Sequence, residues 1–299
     1  MILIAGATGH LGVEICRRLR ERRKAVRALV RSTADPTRAH ALRDMGVELF
    51  VGDLTDTMSV AAACQDVEAV INAASLVLTP KNGNSSLQAV ERDGALSLVE
   101  FSRVLGVRHF VYVTLPRNLR THCPLLRARA EVEDRVSHCG LPYTILCTNY
   151  FMESWLDPAL GFNYVDGAAH IFGDGNRPIG WVSCRDVAEI SVRALESAAA
   201  RNRFLEVAGP ENLSPREVVR TFEDVSGRRY TIEQVPEDVL DAEYKNARNP
   251  LERSIAALKL EYAHGCAMDM TDTLRRIPIE LTSVRDYARR VAAPRTATV

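Results

Sequence analysis

Three glycines at a spacing of three, Gly6, Gly9 and Gly12, stand where a short apolar run meets an amphipathic segment. Glycine permits a tight strand-to-helix turn at the first position, close approach of a ligand at the second, and close helix packing at the third. The helix N-terminus that follows attracts an anion such as a pyrophosphate. The pattern predicts a dinucleotide site that also involves the intervening residues Thr8, His10 and Leu11, although His10 in this turn is equally compatible with simple exposure.

The end of the second apolar run bears on which dinucleotide binds. An acid at this place normally accepts hydrogen bonds from the adenosine ribose and repels a 2′-phosphate. Here the run ends in Arg31 and Ser32, and the first acid is Asp35, beyond the strand. A guanidinium suits a phosphate, so the sequence predicts NADP(H) over NAD(H). The alternative is that Arg31 is one of many surface arginines.

Two further strand ends carry candidate cofactor contacts. Asp53 and Leu54 close the third apolar run, where a carboxylate can reach an adenine amino group and a leucine can pack on the ring. A plain turn acid is the alternative for Asp53. Small residues close the fourth run and leave space for the cofactor over the sheet edge; they are Ala73, Ala74 and Ser75.

The elements that position these residues follow from the alternation of apolar runs with helical patterns. Such alternation predicts an α/β fold with a Rossmann-type doubly wound parallel sheet. Helices are expected to begin near Gly9, Pro36, Thr57, Ser85 and Pro124. The predicted strands cover residues 25–30, 47–51, 69–73, 109–113 and 143–147.

The second half of the chain is richer in Gly/Pro/Asn turns with shorter elements between them. We therefore expect a dinucleotide-binding domain over residues 1–150 and a smaller α/β substrate lobe over 151–299. Two sheet-like segments, 179–182 and 204–207, are expected to return to the main sheet.

Charge and composition narrow the partners. The 38 basic and 38 acidic residues cancel, so no summed field favours nucleic acid or an anionic membrane. No apolar run is long enough to span a bilayer. The chain also opens on a core strand, which leaves no room for a cleaved signal peptide. We expect a cytoplasmic protein with a small-molecule substrate, and both a homodimer and a regulatory protein partner stay open.

The seven cysteines are scattered and never spaced C-x-x-C. This pattern suggests neither a disulfide framework nor a metal site. Cys147 follows an apolar run close to the predicted nicotinamide position, yet no His or Lys partner for it is evident. It is expected to be an inert, buried thiol, and a nucleophile or redox sensor is the alternative.

Several stretches together resemble the NmrA-like group of atypical short-chain dehydrogenases/reductases, which includes NAD(P)H-binding regulators and triphenylmethane- and quinone-reductase-like enzymes. The marks are GATGHLG at the start, VGDLTD at 51–56, HFVYVT at 109–114, GLPYTIL at 140–146, VSCRDVAE at 182–189 and FLEVAGPENLSPREV at 204–218. The resemblance covers nearly the whole chain. It implies a Rossmann fold, a nicotinamide cofactor and a hydride-transfer reaction.

The chain departs from that family at the proton donor. Short-chain dehydrogenases generally pair a serine or threonine with a Tyr-x-x-x-Lys, and Thr114 matches the first of these. The aligned segment around Arg129 has neither tyrosine nor lysine. Arg129 is expected to position ribose hydroxyls through its guanidinium, since a pKa above about 12 makes it a poor acid. The alternative is an exposed helix arginine on a charged face.

After the GLPYTIL stretch the family places residues beside the nicotinamide and the substrate. By that resemblance Asn149 contacts the cofactor, Phe151 and Met152 form a pocket wall, and Tyr150 is a candidate proton donor. Core packing is the alternative for each of the last three. The segment 78–86, with Lys81, is expected to close over the substrate as a flap.

Two functions fit these observations. The first is an NADPH-dependent reductase of a hydrophobic conjugated molecule, such as a quinone, enone or dye, that collects its proton from water. The second is a non-catalytic NADP(H)-binding redox sensor that acts through a protein partner. The missing Tyr and Lys favour the second function, whereas the apolar Tyr150–Met152 stretch and a well-formed second lobe favour the first.

Overall fold

The structure is a computed structural model that describes residues 1–77 and 86–292. Its strands are β1 (Ile2–Ala5), β2 (Val26–Val30), β3 (Glu48–Val51), β4 (Ala69–Asn72), β5 (His109–Thr114), β6 (Tyr143–Thr148), β7 (Phe162–Asn163), β8 (Ala168–Phe172), β9 (Arg203–Val207) and β10 (Thr231–Val235). Within the described residues they form a seven-stranded parallel sheet, β3-β2-β1-β4-β5-β6-β9, and a three-stranded sheet, β10-β8-β7.

Helices connect the strands and cover both faces of the larger sheet. A π-helical turn, Ala89–Gly94, runs directly into the fourth α-helix. The α-helices are α1 (His10–Glu21), α2 (Pro36–Asp44), α3 (Thr57–Ala63), α4 (Ala95–Val104), α5 (Pro124–His138), α6 (Met152–Trp155), α7 (Cys184–Ala194), α8 (Pro215–Ser226), α9 (Glu237–Lys245), α10 (Pro250–His264), α11 (Thr271–Arg276) and α12 (Val284–Ala292).

The residues of β1 show how the sheet is held between two helical layers. Ile2 and Ile4 pack with α1 and α7 on one face, and Leu3 and Ala5 pack with α3 and α4 on the other. All four are buried, because successive strand residues point to opposite faces and both faces are covered. This explains why the strand reads as an unbroken apolar run.

The order of the strands reverses beside β1. The chain builds outward from β1 through β2 to β3, then returns to pair β4 with the other side of β1 and continues to β6. In open α/β sheets this switch point opens a crevice at the carboxyl ends of the strands, where ligands bind. The doubly wound parallel sheet predicted from the sequence is confirmed.

The second lobe is built from the three-stranded sheet together with α8, α9, α10 and α12. Its core contains an aromatic cluster in which Tyr150 meets Trp155 at 4.7 Å between ring centroids and Tyr262 at 6.0 Å. Residues beyond 150 also return to the main sheet, since β9 pairs with β6, as expected for the segment 204–207.

The expected sheet-like segment at 179–182 differs from the structure. It forms single bridges, Val182 with Phe151 and Ile179 with Leu213 and Cys266, rather than a strand. The reason is local, because the Trp181 amide turns back to the Ile179 carbonyl at 3.1 Å instead of extending a ladder. Among the described residues, no helix is long and apolar enough to cross a membrane, and no group of three potential metal ligands comes together.

Candidate functional site

A cavity of about 690 Å³ lies along the carboxyl ends of six adjacent strands, β3, β2, β1, β4, β5 and β6. It brings together most of the site residues predicted from the sequence. Those that line it are Gly6, Thr8, Gly9, His10, Leu11, Gly12, Arg31, Asp53, Leu54, Ala73, Ala74, Ser75, Arg129, Asn149, Tyr150 and Phe151.

Three predicted residues do not line this cavity. Ser32 is exposed, and Thr114 is fully buried. The expected pocket wall at Met152 is corrected by the structure, because its amide bonds the Val182 carbonyl at 2.8 Å and its side chain packs inside the second lobe. Lys81 and most of the expected flap at 78–86 lie outside the described residues.

The three glycines of the first turn have different reasons to lack a side chain. Gly6 has φ +79°, and a Cβ there would lie 2.6 Å from the Ala74 amide nitrogen. A Cβ at Gly12 would lie 2.1 Å from the Gly6 carbonyl oxygen. At Gly9 a Cβ would meet only that oxygen, at 3.4 Å, so the protein's own packing tolerates a side chain there. Gly9 lines the cavity, and its missing Cβ leaves room for a ligand to approach the backbone.

The N-terminus of α1 faces this cavity. Gly9 is the N-cap residue, and within residues 1–77 and 86–292 the helix has no side-chain cap hydrogen bond. Uncapped amides and the positive end of the helix dipole favour an anion at this point. The turn therefore has the geometry and the charge for a diphosphate.

Two arginines line the cavity beside the end of β2. Arg31 follows the strand directly, and Arg38 comes from α2. Arg38 donates to the Thr8 carbonyl at 2.9 Å and lies 3.3 Å from the His10 ring nitrogen, so it braces the glycine turn. Sequence reasoning missed Arg38, although its position two residues inside a helix that starts at Pro36 was a usable signal.

Asp35, the first acid after β2, is the N-cap residue of α2. Its Oδ1 accepts from the amides of Thr37 at 2.8 Å and Arg38 at 3.2 Å, and these bonds cap α2 and lower the pKa of the carboxyl group. Asp35 does not line the cavity. The acid that follows β2 therefore caps a helix, and the residues that line the cavity beside the β2 end are the two arginines.

The turn after β3 places Asp53 and Leu54 at the same end of the cavity. Asp53 Oδ1 accepts from the Thr55 amide at 2.8 Å and its hydroxyl at 2.9 Å, which is an Asx turn. Leu54 lies under the helix that follows β4, where a Cβ on Gly94 would come 2.5 Å from its carbonyl oxygen. The loop position thus depends on close backbone packing.

A buried ion pair joins the ends of β4 and β5. The Arg129 Nη2 lies 2.8 Å from Glu91 Oε2, and Arg129 Nε donates to the same oxygen at 3.1 Å. Burial is the largest single influence and opposes the charge of Arg129, but Glu91, together with Tyr112 and Glu133, outweighs it and raises the pKa of the guanidinium. The expected alternative of an exposed helix arginine is wrong, since the side chain is 7% exposed.

Thr114 faces away from this cavity. Its hydroxyl donates to Glu133 at 2.7 Å, and burial raises the pKa of that carboxyl group. The Thr148 hydroxyl in turn donates to the Thr114 carbonyl at 2.8 Å. The threonine that matches the family pattern is thus part of a hydrogen-bonded link between β5, β6 and α5.

Asn149 and Tyr150 line the cavity but use their polar groups inside the protein. Asn149 Nδ2 donates to the Cys266 carbonyl at 2.7 Å, and its Oδ1 accepts from the Tyr150 amide at 2.8 Å. The Tyr150 hydroxyl donates to the Leu258 carbonyl at 2.8 Å, and burial raises the pKa of the phenol well above its usual value. A phenol in this setting is a poor proton donor to a ligand.

Cys147 is fully buried at the end of β6. Burial, reinforced by the negative charge of Glu133, raises the pKa of its thiol to about 12. A thiol of this kind stays protonated at neutral pH and does not act as a nucleophile.

The end of the cavity beneath the second lobe is mainly apolar, although Glu153 and Asp157 also line it. Its wall includes residues that the sequence did not single out, because they come from separate loops and, for Leu251 and Leu258, from α10, roughly a hundred residues further along the chain. They are Leu76, Leu115, Leu119, Leu160, Leu251 and Leu258, with Trp155. An apolar, partly enclosed space of this kind suits a hydrophobic small molecule.

The fold and the site define a Rossmann-type protein with a nucleotide crevice that opens into an apolar pocket. The chain belongs to the NmrA-like family, which it matches over residues 1–279. It is 29% identical over 257 residues to the NAD(P)H azoreductase of Xenophilus azovorans, covering 81% of this chain and 84% of that protein. It is also 24% identical over 297 residues to the photosystem II assembly factor Ycf39 of Guillardia theta, covering 96% and 92%.

The fold is shared with solved structures. The Escherichia coli NADPH-dependent quinone oxidoreductase QOR2 in complex with NADPH superposes with a TM-score of 0.75. It is 22% identical, and the match covers 97% of this chain and 99% of that one. This likeness shows a shared fold.

Proposed function

We propose that this protein is an NADPH-dependent reductase of hydrophobic, conjugated small molecules such as quinones, enones or azo dyes. The observation that carries the proposal is one cavity that runs from the uncapped N-terminus of α1 to an apolar end under the second lobe. The relationship to an azoreductase supports the same reaction class. A bound NADPH would supply a hydride to an electrophilic carbon of the substrate.

The residues present fit this cofactor. The diphosphate would lie against the turn from Gly6 to Gly12, where Gly9 offers bare backbone. Arg31 would bind the 2′-phosphate, next to an Arg38 that braces the turn. The adenine would lie near Asp53 and Leu54, and the nicotinamide half would extend toward the ends of β4, β5 and β6.

The remaining residues would orient the substrate and exclude water. Phe151, Trp155 and Leu258 wall the apolar end, so a flat hydrophobic acceptor can lie over the cofactor. Tyr150 would shape this wall without giving up its proton, because its hydroxyl bonds Leu258. A conjugated acceptor can take hydride first and collect its proton from water.

The test follows NADPH absorbance while the protein meets a panel of quinones, enones and azo dyes. Turnover by the wild-type chain and its loss in Gly9→Val would support the proposal, since the larger side chain occupies the ligand's approach to the backbone. Arg43→Ala, on the exposed end of α2, is the matched surface control and should keep full activity. An absence of turnover with every acceptor would refute the reductase.

A second candidate is an NADP(H)-dependent sensor that acts on a protein partner. It is favoured because the hydroxyl of Tyr150 and the guanidinium of Arg129 both bond inside the protein. The relationship to an assembly factor over 96% of the chain points the same way. Tight binding that distinguishes NADP⁺ from NADPH, without turnover of any acceptor, would select this function.

We place either function in the cytoplasm. The seven cysteines are free, and six of them are buried. Unpaired thiols in this number suit a reducing compartment. Persistence of all seven thiols in protein isolated under thiol-blocking conditions is the expected result, and a disulfide would contradict the assignment.

A further inference from the structure

The buried carboxylate of Glu91 binds residues from two different segments of the cavity wall, the loop after β4 and α5. One oxygen, Oε1, accepts from the Ser75 hydroxyl at 2.8 Å and the Leu76 amide at 2.6 Å. The other, Oε2, accepts from Arg129. The Glu91 side chain is 1% exposed and does not line the cavity, whereas Ser75, Leu76 and Arg129 all do. A ligand therefore meets the partners of Glu91 and never the carboxylate itself.

This arrangement sets the charge that a ligand experiences at the ends of β4 and β5. Arg129 brings a permanent positive charge to the cavity wall, since a guanidinium is always protonated in proteins. Glu91 lies in ion-pair contact with it, on the side away from the ligand. The pair as a whole is neutral. The third guanidinium nitrogen of Arg129, Nη1, donates to the Val113 carbonyl at 3.3 Å, so the side chain is held in place at the cavity wall.

The local backbone is unusual at the same point. Glu91 belongs to the π-helical turn Ala89–Gly94, which widens the helix just before α4. Such turns are rare and occur frequently at functional sites. Here the turn carries the carboxylate between the loop after β4 and the side chain of Arg129 on α5.

We propose that Glu91 is a specificity-determining residue that neutralises Arg129, so that the cavity accepts uncharged acceptors and does not select those with a carboxylate or sulfonate. The inference rests on the proposed reductase function. The other arginines of the cavity, Arg31 and Arg38, lie at the opposite end, beside β2. Glu153 and Asp157 also line the cavity, on the segment after β6. Their charges are the same in the wild type and in a Glu91 variant, so a change in charge selection between the two proteins reports on the Glu91–Arg129 pair.

The principal test is Glu91→Gln, assayed with a neutral naphthoquinone and its sulfonated counterpart. The amide keeps the side-chain volume and can still accept from Leu76, but its NH₂ group meets the Arg129 donors and leaves their charge uncompensated. The ratio of kcat/KM for the sulfonated over the neutral quinone should rise about tenfold. A purely structural role would lower both values together and leave the ratio unchanged. Glu100→Gln, in an exposed ion pair on α4, is the matched control.

Two further variants keep the proposal testable if Glu91→Gln does not fold. Arg129→Met leaves a buried carboxylate and should lower the same ratio below that of the wild type. Glu91→Gln combined with Arg129→Met removes both charges and should restore the wild-type ratio. A double variant that still favours the sulfonated quinone would overturn the proposal, because no Arg129 charge would then remain.

Different results would contradict the reductase function and the role of Glu91. If the wild-type chain reduces no acceptor, the reductase proposal fails. The affinities for the same two quinones are then compared by equilibrium binding. The signal is the quenching of the fluorescence of Trp155, which lines the cavity. A tenfold shift in relative affinity in Glu91→Gln still supports the role of Glu91. An unchanged ratio in both turnover and binding refutes that role.

Discussion

The Tyr150 hydroxyl donates a 2.8 Å hydrogen bond to the Leu258 carbonyl and so ties the segment after β6 to α10 of the second lobe. This bond closes the apolar end of the cavity, because both residues belong to its wall. It also gives the phenol proton an acceptor inside the protein. The bond therefore contributes to the shape of the pocket rather than to proton transfer.

Tyr150→Phe should consequently lose stability and keep turnover. Removing one neutral hydrogen bond is expected to lower the free energy of unfolding by about 1 kcal/mol. The kcat for quinone reduction should stay within about threefold of the wild type, since a general acid would contribute about a hundredfold or more. Urea unfolding and steady-state kinetics measure both quantities. A hundredfold drop in kcat without a change in KM would identify Tyr150 as the proton donor after all.

Arg31→Ala should separate the two nicotinamide cofactors. The 2′-phosphate is the group of NADPH that the guanidinium would bind and that NADH lacks. The affinity for NADPH should therefore fall about tenfold or more, as expected for a lost charge-assisted contact. The affinity for NADH should stay nearly unchanged. Calorimetric titration of both nucleotides, with Arg43→Ala alongside, measures the difference. Equal losses for the two cofactors would contradict the assignment.

Two alanine substitutions in the glycine turn should affect different properties, one the stability of the protein and the other its affinity for NADPH. Gly12→Ala forces a Cβ to within 2.1 Å of a backbone oxygen, so it should lower the free energy of unfolding. The cost of such overpacking is typically about 1–3 kcal/mol. Gly9→Ala fits the free protein and should leave its stability unchanged while weakening NADPH binding. Thermal unfolding and nucleotide titration distinguish the pair; destabilisation by Gly9→Ala would show that its bare backbone serves packing.

The buried ring of His109 should lower the free energy of unfolding in mild acid. The Thr144 hydroxyl donates to the Ala200 carbonyl, so His109 must donate to Thr144, and its Nδ1 is left buried without a partner among the described residues. Burial, helped by the charge of Arg201, lowers the pKa of the ring to about 4. The unfolded chain, with a pKa near 6.5, binds its proton first as the pH falls.

Stability should therefore decline between about pH 6.5 and pH 4 and be unaffected by this group above that window. His109→Gln removes the titration and should flatten this part of the profile. His40→Gln, on the exposed face of α2, should retain the slope. The measurement is urea unfolding as a function of pH, and identical slopes in all three proteins would disprove the role of His109.

Cysteine reactivity should follow exposure. Cys139 is partly exposed, and the other six cysteines are buried. Cys147 and Cys16 both have a pKa raised to about 12 by burial, so their thiols should resist iodoacetamide in the folded protein. Peptide mass spectrometry after brief alkylation should find label on Cys139. Rapid labelling of Cys147 would revive its redox-sensor interpretation.

Local patterns allowed much of the fold and of the cofactor end to be predicted. The predicted strand at 109–113 is observed as β5 (His109–Thr114), and Pro36 and Thr57 begin helices as expected, with Asp35 and Asp56 as N-caps. These features depend on neighbours in the chain, namely alternation, capping and turn residues. The glycine turn is predictable for the same reason, because its ligand contacts come from consecutive backbone groups.

The substrate end could not be predicted in the same way. Leu258 and Glu91 reach the cavity or its supports from helices distant in sequence, and no local spacing marks them together. Met152 shows the converse error, since its place in the chain suggested a pocket wall, whereas its side chain is buried in the core of the second lobe.

The sequence by itself determined that the chain folds as a doubly wound sheet with an anion-binding turn at its first strand, because periodicity and glycine geometry act over a few residues. Only the tertiary structure decided which way the polar side chains point and with whom they pair. The pairing of Glu91 with Arg129 and of Tyr150 with Leu258 depends on the packing of separate elements, and a buried donor bonds whichever acceptor that packing brings near.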